Sequence, residues 1–499
     1  MRCQKRFLLL IVCFLFFSSL QSVTATSHES NQSLDRYVDS FLEEHQIPGA
    51  SIILYRDDKI FFAKERGITG ETEHGVTLNT PFTIGSISKS LTALGIMKLV
   101  EEGQVQLDGS VKDYLPWFEL KDAQAPIQIT IEHLLTHTSG ISTYDGLRIS
   151  DGESDDMNAI KRNVIKLLDV ELTAAPGEIH QYSNANYAIL GAIIEEVTGQ
   201  SYSSYMEHNI FTPLGMTDTA ADRETAYEKG YSSGYQSWFG IPTKSTVSYD
   251  NGGAPYGYVT ASANDLMEYI KFLTRQDDIG FLSEDGMNQF LSPHFQINEN
   301  KKYGFGWRFS KVDNIEDGLI WHSGSTPDSH SEIFFSPDLS WGGIILTNRN
   351  HILEELALFE FKQEIISFFM GEEPEPIAQQ RPVIQIITLG VAILLLVWTI
   401  SVGLMALRNK KRSRVFWGIS SLGYLGLSIA MIPIFTSIVD SPWNAIHAFA
   451  PDLAFLVQAM VLMLFMNGVI STIIVVQSLK LTKGRASCMA KELSQKFEG

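Results

Sequence analysis

Three long apolar runs near the C-terminus constrain this chain most. Val383–Leu407 and Val415–Val439 each extend about 25 residues without a charged side chain, and Leu453–Leu479 is equally uncharged. About 20 apolar residues cross a bilayer as a helix, so each run is long enough to span. Arg408-Asn-Lys-Lys-Arg-Ser-Arg414 lies between the first two runs, the loop Asp440–Asp452 has no Lys or Arg, and Lys480, Lys483 and Arg485 follow the third. The positive-inside rule puts the basic loop and the C-terminus in the cytoplasm, and the region before the first span outside. The N-terminus asks for the same orientation: Arg2, Lys5 and Arg6, then the apolar core Phe7–Phe17, then small residues to Ala25, which is the pattern of a secretory signal. The expected organisation is a signal peptide at 1–26, an extracytoplasmic domain at 27–370 and an acidic, Pro-containing linker at 371–382. Three transmembrane helices within 383–479 and a cytoplasmic tail at 480–499 complete it.

The cysteines are Cys3, Cys13 and Cys488, so the exported region has no disulfide and rests on its own hydrophobic core. Net charge is −19, although the signal and the tail are net basic; the acid excess therefore lies in the exported region. Such a surface argues against nucleic acid as a partner. Strand signals at Ala50–Tyr55 and Lys59–Lys64 and again at Leu319–Trp321, Glu332–Ser336 and Gly342–Leu346 bracket helical patterns at Leu91–Glu102, Ile160–Leu168 and Ala188–Val197. Leu34–His45 and Leu353–Met370 read as further helices, and Thr217–Gly253 as long loops with short strands. This order predicts an α/β (α+β) domain: one sheet built from both chain ends, plus an inserted helical region, with the site where they meet.

The chemistry centres on Thr83-Ile-Gly-Ser86-Ile-Ser-Lys89-Ser90. The run after it is apolar almost all round, as in a buried helix. Ser86 and Lys89, three apart, share a face of its first turn, where the dipole favours negative charge. A lysine whose pKa is lowered by burial can take the serine proton. Taken alone, the tetrad also fits an N-cap serine and a snorkelling lysine. Tyr182-Ser183-Asn184 follows about a hundred residues later. A tyrosine near a lysine can keep a depressed pKa and shuttle a proton, and the amide beside it can hold a substrate carbonyl. His322-Ser323-Gly324 ends a strand signal; the histidine could bind an anion, and the glycine lets a substrate backbone approach the strand edge.

In this order and on these elements, the three motifs resemble those of the penicillin-recognising serine hydrolases: class C β-lactamases, low-molecular-weight penicillin-binding proteins and related esterases and D-amino peptidases. The family pattern is Ser-x-x-Lys, Tyr-x-Asn, Lys/His-x-Gly. Leu134-Leu-Thr-His-Thr-Ser-Gly140, Pro176-Gly177, Tyr187–Gly191 and Tyr303-Gly-Phe-Gly-Trp307 look like the family too. The resemblance implies a β-lactamase/transpeptidase-like fold with an antiparallel sheet. It further implies Ser86 as acylated nucleophile, Lys89 as its base or proton relay and Tyr182 as partner base and acid. Asn184 would hold the substrate amide, His322 and Gly324 would line the strand edge, and the N–H groups of Ser86 and Ser325 would form the oxyanion hole. His322 stands where penicillin-binding relatives usually carry lysine, which leans the chain toward esterase or peptidase work. Signal, exported hydrolase and three C-terminal spans also resemble the colibactin-maturing peptidase type, which removes an N-acyl-D-asparagine cap from exported prodrugs; Asn184 stands where that type carries serine.

The expected activity is therefore an acyl-enzyme hydrolase for D-amino-acid-containing peptides, amides or esters, with a small peptide, ester or β-lactam as partner and no cofactor. Alternatives are a prodrug-activating D-amino peptidase and a β-lactam sensor that acylates without turnover. A transporter is disfavoured, because uncharged spans make a poor ion or substrate pathway. His137, His322 and His330 fit no common zinc spacing, so no metal is expected. Oligomeric state is not legible.

Overall fold

The structure, a computed structural model, describes residues 32–57, 59–274, 280–312, 315–378, 381–407 and 413–497. The expected signal and most of the basic loop Arg408–Arg414 lie outside them. The chain divides into two compact units, residues 1–236 with 241–380, and residues 237–240 with 381–499.

The first unit is organised by an eight-stranded antiparallel sheet among the described residues. Its strands are β1 (Gly49–Arg56), β2 (Lys59–Gly67), β3 (Pro293–Asn298), β4 (Lys301–Gly304), β5 (Arg308–Val312), β6 (Ile315–Thr326), β7 (Ser329–Phe335) and β8 (Trp341–Thr347), in spatial order β2-β1-β8-β7-β6-β5-β4-β3. Both chain ends thus contribute, as the sequence predicts. The central strands are buried on both faces and so read as apolar runs. Ile53 and Tyr55 of β1 join one core with Ile333 and Ile344. Ile52 and Leu54 join another with Phe334 and Ile345, covered by helix α1 (residues 32–44) and by helix α4 (Glu355–Phe369). On the inner side lie helix α2 (Ser88–Glu101) and helix α3 (Asn184–Thr198). Leu91, Leu94, Ile96, Met97 and Leu99 of α2 are all buried, which is why apolar residues run around most of the helix. Strands β3 to β5 escape the sequence reading. They are short and carry Lys, Gln and Asn on exposed positions, so alternation is lost.

One polar array sits inside the outer core. Glu332 of β7 and Lys362 of α4 are both buried and ion-paired at 2.9 Å, and His330 Nε2 lies 3.1 Å from the other Glu332 oxygen. Burial pushes the Glu332 carboxyl up, but the Lys362 charge and the His330 contact more than offset it, leaving its pKa below the usual range. In the second unit, helices α5 (Val383–Leu407), α6 (Arg414–Val439) and α7 (Pro451–Phe497) include three segments long and apolar enough to cross a membrane. Asn467 Nδ2 donates to Thr399 Oγ1 at 2.8 Å, joining α7 to α5. Helix α7 continues through most of the residues expected to form the tail.

Replacing Lys362 with Met leaves a buried carboxylate without its counter-ion and should destabilise the first unit by about 3–5 kcal/mol at neutral pH. Because the Glu332 pKa is lowered on folding, the wild-type advantage is present above the ordinary carboxyl range and fades as pH falls through the folded value. Thermal melting of both proteins across that range tests the sign; a deficit that grows on acidification would contradict it.

Candidate active site

Ser86 lies in a tight turn, Gly85–Ile87, that runs directly into α2. Two glycines let this turn meet the end of β6. Gly85 has φ +51°, and a Cβ there would lie 2.2 Å from the Ser325 nitrogen; a Cβ on Gly324 would lie 1.9 Å from the Ile84 carbonyl oxygen. Neither space exists, so only glycine permits the approach. Side chains fasten the junction: Ser331 Oγ donates to the Ile84 carbonyl at 2.7 Å, and the Thr83 and Thr326 hydroxyls pair at 2.9 Å. The Ser325 amide is thereby held beside the peptide that leads into Ser86.

Lys89 is fully buried, one turn along. Its Nζ lies 3.0 Å from Ser86 Oγ, 2.8 Å from Asn184 Oδ1 and 2.8 Å from the Tyr256 carbonyl oxygen. No carboxylate pairs with it among the described residues. Burial, reinforced by the charge of Arg308, holds its pKa well below 10.5. As a neutral amine it has two hydrogens and one lone pair. The Asn184 and Tyr256 oxygens can only accept, so they take the hydrogens. The lone pair then faces Ser86, the one partner of the three whose hydroxyl can donate.

Asn184 opens α3, and its Nδ2 donates to Ser150 Oγ at 3.0 Å. Tyr182 precedes it. Lys89 Nζ and the Arg308 guanidinium both lie 4.8 Å from the Tyr182 ring centroid. The Tyr182 hydroxyl is buried beside Ser86 and Arg308, outside hydrogen-bonding geometry with either. Its pKa is raised by burial, with Arg308 and Ser86 opposing the rise only in part. The expectation of a depressed phenol pKa is therefore corrected, because burial outweighs the neighbouring charge.

His322 requires a second correction. It is fully buried; Nδ1 is 2.7 Å from the Ser323 carbonyl and Nε2 is 3.3 Å from the Tyr303 hydroxyl. The carbonyl can only accept, so Nδ1 carries the hydrogen and the Tyr303 hydroxyl donates to Nε2. Burial, then Arg308 and Lys89, push the imidazole pKa well below 6.5. Both ring nitrogens are thus engaged inside the protein, and the imidazole is pushed toward its neutral form. A guanidinium stands nearby: Arg308, the first residue of β5, is paired in register with Trp321 and lies over Tyr182. Sequence reading passed over it, although it directly follows the quoted Tyr303–Trp307 segment. Ser325 Oγ turns to His330 Nδ1 at 3.3 Å.

The Beta-lactamase family profile matches residues 34–361. The chain is 30% identical over 329 residues to protein flp of Staphylococcus aureus (strain N315), covering 66% of this chain and 65% of that one. It is 31% identical over 363 residues to penicillin-binding protein 4 of Amycolatopsis lactamdurans, covering 69% of this chain and 93% of that one. The chain thus spans about two thirds of the length of the staphylococcal relatives. Among solved structures, it resembles the octameric penicillin-binding protein homologue from Pyrococcus abyssi (TM-score 0.57, 28% identity, 69% and 78% of the two chains). It also shares its fold with the penicillin binding protein from Bacillus halodurans (TM-score 0.55, 24% identity, 65% and 98%).

Gly324→Ala should drive the strand end away from the Ser86 turn, costing about 1–3 kcal/mol of stability as an overpacked site. Thermal melting reads the loss; an unchanged melting temperature would mean that the two segments are not in contact.

Proposed function

The chain belongs to the Beta-lactamase family, whose members are serine hydrolases, and from that premise we propose that it is a membrane-anchored, extracytoplasmic hydrolase working through an acyl-enzyme on Ser86. The observation that carries this reading is the fully buried Lys89 Nζ, 3.0 Å from Ser86 Oγ and 2.8 Å from both the Asn184 Oδ1 and the Tyr256 carbonyl oxygen. In the proposed reaction Ser86 Oγ attacks the substrate carbonyl and its proton passes to Lys89 Nζ. The N–H groups of Ser86 and Ser325 receive the oxyanion, and Asn184 holds the substrate amide. Tyr182, kept protonated by its raised pKa, donates to the leaving group and is restored from Lys89. Water then releases the acyl group.

Arg308 refines the substrate. A permanent guanidinium over Tyr182 suits a carboxylate next to the scissile bond, as in a terminal D-amino acid or a β-lactam. Similarity to penicillin-binding protein 4 supports the same class. Three candidate membrane spans after the catalytic unit support the proposed division at 371–382 and, as a narrower reading, cleavage of a D-amino-acid cap from an exported prodrug. Detection of turnover, beyond a trapped adduct, separates both from a β-lactam sensor.

Ser86→Ala should abolish labelling by a fluorophosphonate or by benzylpenicillin, and mass spectrometry should place the wild-type adduct on Ser86; an adduct on another serine would overturn the proposal. Because the Lys89 pKa is lowered, acylation should fall as pH drops through that depressed value and be level above it, whereas an unperturbed lysine would leave the rate still climbing at about pH 9. Arg308→Gln should lower acylation by carboxylate-bearing benzylpenicillin about tenfold, or 1.4 kcal/mol, relative to a neutral ester. An unchanged ratio would remove Arg308 from the anion site.

A further inference from the structure

The segment Leu134–Gly140 is prominent in the sequence and has no part in the chemistry above. In the fold it lies against Tyr182. His137 has φ +58°, a left-handed conformation uncommon for a residue with a side chain, and is fully buried. From that position it reaches both sides of Tyr182. Its carbonyl accepts the Gln181 N–H at 2.8 Å, and its Nδ1 accepts the Ser183 N–H at 3.2 Å. Its ring packs against the Tyr182 ring at 4.3 Å.

The imidazole is itself held. Asn186 Nδ2 lies 3.0 Å from the same Nδ1, and Asn186 Oδ1 accepts from Ser139 Oγ at 2.6 Å, which fixes the amide orientation. Two N–H donors converge on Nδ1, so Nδ1 is bare and the hydrogen sits on Nε2. Burial above all holds the imidazole pKa well below 6.5. Nε2 is enclosed without a hydrogen-bond partner among the described residues. A buried unpaired donor and a left-handed backbone both oppose folding. The bonds on the Nδ1 side are what they accompany.

We infer that His137 is a positioning residue for Tyr182: it grips the amides on either side of that tyrosine and supports its ring, and so holds the phenol hydroxyl beside Ser86. This rests on the proposed acyl-enzyme reading for its effect on rate, though not for its geometry. Misplacing a reacting group by about 1 Å can cost roughly a hundredfold.

The test uses the full-length protein in detergent. It follows the rate of Ser86 labelling by a fluorophosphonate, amide hydrogen exchange across residues 181–183, and thermal melting. His137→Asn places an acceptor oxygen where Nδ1 lies and tolerates positive φ; it should label within a few-fold of wild type. His137→Gly relaxes the backbone but removes the acceptor and the ring. It should label about a hundredfold more slowly and exchange faster at 181–183. His137→Gln, whose amide reaches the Nε2 position instead, should label slowly as well, and stands in if the glycine variant does not fold. The decisive comparison is in a Tyr182→Phe background. There His137→Gly should add less than about threefold, because a residue acting through the phenol has little left to disturb. Losses that multiply in the double variant, or a glycine variant as fast as wild type, would overturn the inference. If no probe labels Ser86 in wild type, the proposed function fails, and exchange alone decides: unchanged protection at 181–183 in His137→Gly would overturn the role of His137.

Discussion

A buried amine surrounded by three oxygens and no carboxylate is the constraint on which the rest of this site depends. An ammonium sealed from water without a counter-ion is costly, and the accessible response is to lose the proton. The neutral form then has a fixed use for each valence, and only Ser86 can face its lone pair. That outcome requires dry surroundings, which helix α2 supplies by being buried throughout from Ser88 to Met97. It also requires Asn184 and the Tyr256 carbonyl to arrive from segments about 95 and 167 positions away. Lys89 therefore ties the inserted helical region to the sheet-forming ends.

Charge is distributed unevenly around it. Lys89, His137 and His322 are all buried and all pushed toward their neutral forms, with burial the first cause in each. Arg308 is the exception. It brings a guanidinium, a planar, delocalised cation with a fork of N–H donors. Its presence lowers the other three, so one permanent cation helps keep three titratable neighbours uncharged. The guanidinium at this end of the sheet thus stands on β5, on the strand next to the one that carries His322.

Much of this was legible from residue order. Apolar periodicity found α2, α3 and α4 within a few residues, and short apolar stretches such as Ile52-Ile-Leu54, Ile333-Phe-Phe335 and Ile344-Ile-Leu346 found β1, β7 and β8, because burial on both faces leaves a plain signal. The serine, lysine, tyrosine and asparagine motifs carried a resemblance strong enough to group Ser86, Lys89, Tyr182 and Asn184, which the fold brings together. What stayed hidden has physical causes. Strands β3 to β5 leave most of their positions exposed or only half-buried, so their composition is that of loops. Arg308 sits on one of them, and a single arginine on an unrecognised strand carries no local mark. The protonation states of Tyr182 and His322 depend on enclosure by residues far away in sequence, and the short motifs do not encode it.

The glycines at 85 and 324 connect these levels. A sheet assembled from both chain ends places β6 beside the turn that carries Ser86, across more than two hundred residues. Sheet order brings the two elements into the same layer, but it does not set their separation. With any side chain at either position the backbones would stand apart by the width of a methyl group, and the Ser325 amide would leave the vicinity of Ser86. The adjacent hydroxyl bonds, Ser331 to the Ile84 carbonyl and Thr83 to Thr326, work at the same contact and in the same direction. Fold topology thus gives proximity at the scale of a strand spacing. Missing Cβ atoms and short hydroxyl bridges reduce it to direct backbone contact between the Ser325 amide and the turn that carries Ser86.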